Sequence, residues 1–239
     1  MRLLDISQFE PIFEPLSGLT VGIVDGIGNT GDQLLYLAAR RFCEHFDVQH
    51  FTVNVLAEDP IPKCDKLLLF GGGNIGFPPA TAIRAKAFES GIPCWLLPQS
   101  VVRHEELKCE RMFFRESISR DIIGGGEIAP DLALGFEFPE TDVKKSGSKI
   151  FLRKNGGSVH HHVRNELKVD PAMFCYTAQD YWNFVDKFEE ITTDRLHLAI
   201  CSLAMGTKTT LLPVNYHKNW AMFREWLEPM GCDWKDIAL

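Results

Sequence analysis

From residue 19 onward, apolar and polar positions follow two alternating rhythms. The short apolar runs LTVGIVD, VQHFTV, KLLLF and IPCWLLP read as strands of a parallel sheet, because a strand covered on both faces needs no polar side. Between them lie GDQLLYLAARRFCEHF and ATAIRAKAFESG, whose apolar residues recur at helical spacing. The rhythm continues through RMFFR, the helical ESISRDII and a strand-like DLAL near 131–134, where a doubly wound domain is predicted to end. The polar FPETDVKKSGSK, residues 138–149, offers little to bury and reads as a linker. After it come KIFLRK, a helix around TAQDYWNFVDKF, a short EEIT, a helix in TTDRLHLAICSLAMG, then KTTLLPV and a final helix in NWAMFREWLEPMG. The pattern predicts two α/β domains, 1–140 and a smaller 148–239, with ligand-binding residues in the loops at the carboxyl ends of the strands.

Composition narrows the function. A chain of 239 residues, 45% hydrophobic and 11% aromatic, can build a substantial core. Its net charge of −7 argues against a partner that is nucleic acid, so any anion site must be local. No apolar run reaches the length of a membrane span, and the start MRLLDISQFEP lacks the apolar stretch of a signal peptide; the reading is cytoplasmic. Seven cysteines without a CxxC pair read as reduced thiols, most of them packed in the core.

Chemistry-bearing residues cluster at predicted strand ends. GIGNTGD places Gly26, Gly28 and Gly31 in a literal GxGxxG. The dinucleotide reading also wants an acid at the end of the second strand, and there VQHFTV runs into Asn54, with Glu58 and Asp59 only later. A packing turn explains the glycines; Asn29 and Asp32 are left to face a polyol. FGGGNIG brings Gly71, Gly72, Gly73 and Asn74 to the next rim, LPQS adds Gln99 and Ser100, and FFRES adds Arg115 and Ser117. Arg115 is placed to bind a carboxylate or phosphate through its planar fork, and Arg153 with Lys154 is a second candidate anion pair. His160, His161 and His162 lack metal-ligand spacing and are expected in an exposed turn or helix start. The helix in residues 192–206 opens with Asp194, Arg195 and His197, an anion-favouring start equipped with a titratable base.

In order, GNTGD, FGGGN, LPQS, FRES, DRLH and the downstream NYHK resemble the polysaccharide pyruvyl transferase family over roughly residues 19–220. The resemblance implies two Rossmann-like domains facing across a cleft, GT-B-like, with the second reduced, because the stretch between KIFLRK and the DRLH helix is short for the family. Leu198 stands where family members usually carry glycine. It implies transfer of pyruvate from phosphoenolpyruvate to a sugar of an exopolysaccharide or cell-surface glycan precursor as a cyclic ketal, without cofactor or obligatory metal. The alternatives are a GT-B glycosyltransferase using a nucleotide sugar and a catalytically inactive glycan-binding relative. The donor would be clamped by Arg115 and Arg195, with His197 as acid/base. Asn29, Gly31, Asp32, Gly72, Gly73, Asn74, Gln99, Ser100, Ser117, Arg153, Tyr216 and Lys218 would contact substrates, the acceptor lying on the amino-terminal side and the donor on the carboxy-terminal side. A lipid-linked acceptor would bring the enzyme to the membrane periphery.

Overall fold

The computed structural model describes the chain apart from residues 27, 58, 70, 71, 155, 156, 161, 162, 165–167 and 237–239. Glu58, Gly71, His161 and His162 of the motifs above thus lie outside the described residues. The chain forms an α/β fold with two parallel sheets. It divides into two compact units, Asp5–Gly28 with Leu35–Leu132, and Met1–Leu4 with Asn29–Leu34 and Ala133–Leu239. The units meet at Leu132/Ala133, and Asn29–Leu34, which holds Asn29, Gly31 and Asp32 of the GNTGD turn, groups with the carboxy-terminal residues.

In the amino-terminal unit six strands, β1 (Thr20–Val24), β2 (Gln49–Val53), β3 (Lys66–Leu69), β4 (Cys94–Gln99), β5 (Arg111–Phe114) and β6 (Glu127–Ile128), stand in the order β2-β1-β3-β4-β5-β6. The order reverses between β1 and β3, and the crevice beyond their carboxyl ends is where open sheets of this kind bind ligands. Helices α2 (Thr30–His45), α3 (Pro78–Glu89) and α4 (Ser117–Ile123) connect the strands. A short α1 (Glu10–Phe13), not evident in the apolar pattern, packs Phe13 on Phe42 and Phe46, while Phe9 just before it stacks on Phe42 at 4.4 Å. Leu67, Leu69, Leu96, Val101 and Phe114 form the core beneath the sheet, each such side chain contributing about 1.5–3 kcal/mol by leaving water.

DLAL, expected as a strand, is a 3₁₀ turn at Leu132–Gly135. The adjacent Asp131 is drawn into a buried ion pair with Arg115, and the sheet position is taken by β6, two residues long, paired to β5.

The carboxy-terminal unit carries β7 (Ser148–Phe151), β8 (Glu190–Thr193), β9 (Lys208–Leu211) and β10 (Asp233–Trp234), in the unreversed order β10-β9-β8-β7. Helix α5 (Ala178–Val185) starts at a capping box in which Thr177 and Asp180 satisfy each other's backbone N–H groups. Its Trp182 packs on Phe136 and Phe138, at 5.7 and 6.0 Å. Helix α6 (Leu196–Ala204) is buried almost all round. The last expected helix is α7 (Lys218–Met222), which widens into a π turn at Phe223–Leu227 and ends in a 3₁₀ turn whose Pro229 and left-handed Gly231 stop it. Among the described residues no helix is long and apolar enough to cross a membrane.

Candidate active site

The expected site residues separate by unit. Asn29, Gly31, Asp32, Arg153, Arg195, His197, Tyr216 and Lys218 belong to the carboxy-terminal unit; Gly72, Gly73, Asn74, Gln99, Ser100, Arg115 and Ser117 belong to the amino-terminal one. Asn29 and Asp32, expected on the acceptor side, group with the DRLH helix.

Two residues, Asp194 and Arg195, join β8 to α6, and Arg195 is extended at φ −99° as the helix N-cap. Its Nε and Nη2 donate to the two oxygens of Asp170 at 2.5 and 2.7 Å. Asp170 also accepts from the backbone N–H of Lys154, at 2.9 Å, and of Ala172, at 3.1 Å. Burial alone would raise this carboxyl, but the Arg195 fork and the two N–H groups outweigh it and hold Asp170 below the usual carboxylate range. Because Asp170 occupies only the Nε–Nη2 edge of the guanidinium, the Nη1–Nη2 edge keeps the geometry for a second anion.

Arg153 follows β7. Its backbone N–H donates to Asp194 Oδ1 at 2.9 Å, and its Nε lies 3.8 Å from the same oxygen. Neither the buried Arg153 Nε nor Asp194 Oδ2 has a hydrogen-bond partner among the described residues. Burial pushes the Asp194 carboxyl up despite Arg153, Arg195 and His160 around it, and pushes the Arg153 guanidinium down. The charges here are therefore less completely matched than in a closed salt bridge. Gly157 admits Arg153: a Cβ there would stand 2.3 Å from Nη1. Tyr216 adds its electrostatic influence to Arg153, and Lys218 lies over the Tyr216 ring at 5.6 Å. His160, expected in an exposed turn, is fully buried and close enough to act on Asp194. The chain around it turns inward through Ser158, which bridges to Val214.

His197 is the second residue of α6 and is 8% exposed. The GNTGD turn comes up against it: a Cβ on Gly31 would stand 2.9 Å from His197 Cβ and Nδ1, and Asp32 Oδ1 is 3.8 Å from Nδ1. Within the turn, Asp32 Oδ2 accepts from Asn29 N and Nδ2 at 2.9 and 3.0 Å, and Asn29 Oδ1 accepts from Gly31 N at 2.9 Å. Thr30 anchors the turn by donating to the Cys175 carbonyl.

In the amino-terminal unit the expected rim is partly interior. Arg115 has no exposed surface; Nη1 pairs with Asp131 at 2.6 Å, and Nη2 and Nε donate to Ser100 Oγ at 2.9 and 3.2 Å. It braces β5 against the chain after β6, with its fork on Asp131 and Ser100, whereas the donor-clamp reading expects that fork to face a ligand. Ser100 and Gln99 are likewise fully buried, Gln99 donating to the Leu69 carbonyl. Gly72 is buried, while Gly73 and Ser117 are half-buried. Asn74 lines a pocket with Val24, Gly26, Leu69, Ile83 and Arg84, at the β1/β3 reversal. Arg84, missed in the sequence because it sits inside a plain helical pattern, donates to Asn74 Oδ1 at 3.2 Å and to Glu105 at 2.8 and 2.6 Å. Asp170 was also missed: VDPAM signals a turn cap, not an arginine partner 25 residues away.

All seven cysteines are free thiols. Burial pushes Cys94 and Cys175 up to about 11 and Cys43, Cys109 and Cys232 up to about 12, so these are not poised as nucleophiles. Among the described residues no group of His, Cys, Asp and Glu is arranged to hold a metal ion.

Comparison with known proteins bears on the fold and the family. A functionally uncharacterized protein from Klebsiella pneumoniae shares the fold, at 17% identity and a TM-score of 0.70, over 97% of this chain and 98% of that one. Two weaker likenesses are the periplasmic component of an ABC-type sugar transport system from Hahella chejuensis (10% identity, TM-score 0.30, 89% and 84% covered) and the glycotransferase of kitacinnamycin (10%, 0.42, 93% and 87%). At those scores neither carries an argument. No curated protein matches the chain in sequence. The family model for polysaccharide pyruvyl transferase matches residues 29–216, from the GNTGD turn through the DRLH helix to Tyr216. The chain belongs to the polysaccharide pyruvyl transferase family, a family of transferases.

Proposed function

We propose that this enzyme transfers pyruvate from phosphoenolpyruvate to a saccharide, or a lipid-linked glycan, of exopolysaccharide or cell-surface glycan synthesis, forming a cyclic ketal and releasing phosphate in the cytoplasm. The observation that carries the reading is the start of α6: Arg195 with one guanidinium edge not taken by Asp170, Arg153 with its charge incompletely matched, a helix N-terminus and a histidine, all within one unit.

Phosphoenolpyruvate presents a phosphate and a carboxylate on a small frame. The open edge of Arg195, with Arg153, suits these anions, and Arg115 is released from the clamp. His197 delivers a proton to C3, which makes C2 electrophilic, and takes one from the sugar hydroxyl whose oxygen bonds to C2. The C2–O bond to phosphate then breaks, and a second hydroxyl closes the ring as its proton leaves to solvent. Asn74, with Gly72 and Gly73, suits a neutral polyol in the amino-terminal unit, since Arg84 there is already neutralised by Glu105.

The test is incubation with phosphoenolpyruvate and methyl glycosides carrying free diols, in EDTA. Phosphate release matched by ketal formation is expected. Turnover only with nucleotide sugars, or binding without turnover, would overturn the proposal in favour of a glycosyltransferase or an inactive relative.

A further inference from the structure

Building on the reading of His197 as the acid/base, we infer that Asp32 is its positioning residue, holding the imidazole in one tautomer through Nδ1. The GNTGD turn otherwise looks like a phosphate or sugar loop, but the structure gives its aspartate a different task. Asp32 Oδ2 is held by both nitrogens of Asn29, which fixes the carboxylate and leaves Oδ1 as the oxygen 3.8 Å from His197 Nδ1. Both side chains are nearly buried, at 13% and 9% exposure, so little water competes for the pair. Gly31 makes the approach possible, since any Cβ there would collide with the imidazole and its Cβ at 2.9 Å. A carboxylate at Nδ1 favours the proton on that nitrogen and leaves Nε2 as the atom that exchanges protons with substrate. Asp32 therefore touches no substrate; it acts through His197. The same feature explains why a glycine and an acid occur as neighbours in this turn: one clears the space and the other uses it.

Asp32→Asn tests this, because it keeps the size of the side chain and most of the turn while removing the charge. In protein labelled with ¹⁵N-histidine, with His197→Ala assigning the signal, imidazole spectra in alkaline buffer should show His197 with its proton on Nδ1. In Asp32→Asn the proton should move wholly or partly to Nε2. The kcat should fall by about 10²-fold, while KM for phosphoenolpyruvate and the melting temperature stay close to those of the unaltered protein. Gly31→Ala, which leaves Asp32 in place but crowds the ring, should give the same loss of kcat. An unchanged tautomer in Asp32→Asn overturns the inference whatever the rate. A raised acceptor KM with an unchanged kcat also overturns it, placing Asp32 on the acceptor. A shifted tautomer, in a protein that keeps full activity as His197→Ala, upholds the pairing and overturns the proposed function instead.

Discussion

Arg115 in the amino-terminal unit and Arg195 in the carboxy-terminal unit each follow a parallel strand within two residues and each stand at the start of a helix. Arg115 has no exposed surface and spends its fork on Asp131 and Ser100. Arg195 gives Asp170 one edge only, and beside it Arg153 Nε and Asp194 Oδ2 lack hydrogen-bond partners among the described residues. An arginine at a strand end is thus sealed with its whole fork engaged, as Arg115 is, or, as in Arg195, 6% exposed with one guanidinium edge not taken by its carboxylate. The sheets differ in the same sense. The amino-terminal one makes its crevice by reversing strand order between β1 and β3; the carboxy-terminal one has no reversal and gathers its polar groups at the ends of β7 and β8.

The largest effect expected at Arg115 is on stability. Arg115→Met takes the guanidinium away from the buried Asp131 carboxylate, and should cost about 3–5 kcal/mol in chemical denaturation, with much of it recovered in Arg115→Met/Asp131→Leu. A stable Arg115→Met protein with weakened donor binding would break the comparison.

Arg195→Gln should act on the donor. Loss of a charge-assisted contact is worth about 1.5–3 kcal/mol, so KM for phosphoenolpyruvate should rise by roughly 10- to 150-fold, whereas acceptor KM should hold. An unchanged donor KM, measured on folded protein, would return Arg195 to the same structural class as Arg115.

A smaller effect should appear in the pH dependence of stability. Asp170 is held below its unfolded value; its contribution is present above that value and disappears as pH falls through the lower, folded one. Asp194 is raised, so its ionisation opposes folding as pH climbs above the ordinary carboxylate range. Asp170→Asn should flatten the acid limb of a melting-temperature profile, and Asp194→Asn the decline on the other side. Profiles identical to that of the unaltered protein would contradict the described charge balance.

Strand and helix positions were legible because buried parallel strands and helix faces leave their period in the chain, as LTVGIVD and GDQLLYLAARRFCEHF do. DLAL misled because its apolar residues are buried in a turn rather than a strand, a choice made by the distant Arg115–Asp131 pair. For the same reason the motifs do not say which side chains at the strand ends point inward. Whether Arg115 or Arg195 is open depends on carboxylates 16 and 25 residues away, and the meeting of Asp32 with His197 spans most of the chain. Local sequence carries no record of such partners.

The central claim rests on His197, and phosphate release from phosphoenolpyruvate, measured with melting temperature and donor affinity on the same protein, tests it most directly. His197→Ala should lower kcat by about 10²–10⁴-fold while the melting temperature and donor affinity stay close to those of the unaltered enzyme. A stable, donor-binding His197→Ala protein that releases phosphate at the full rate would contradict it.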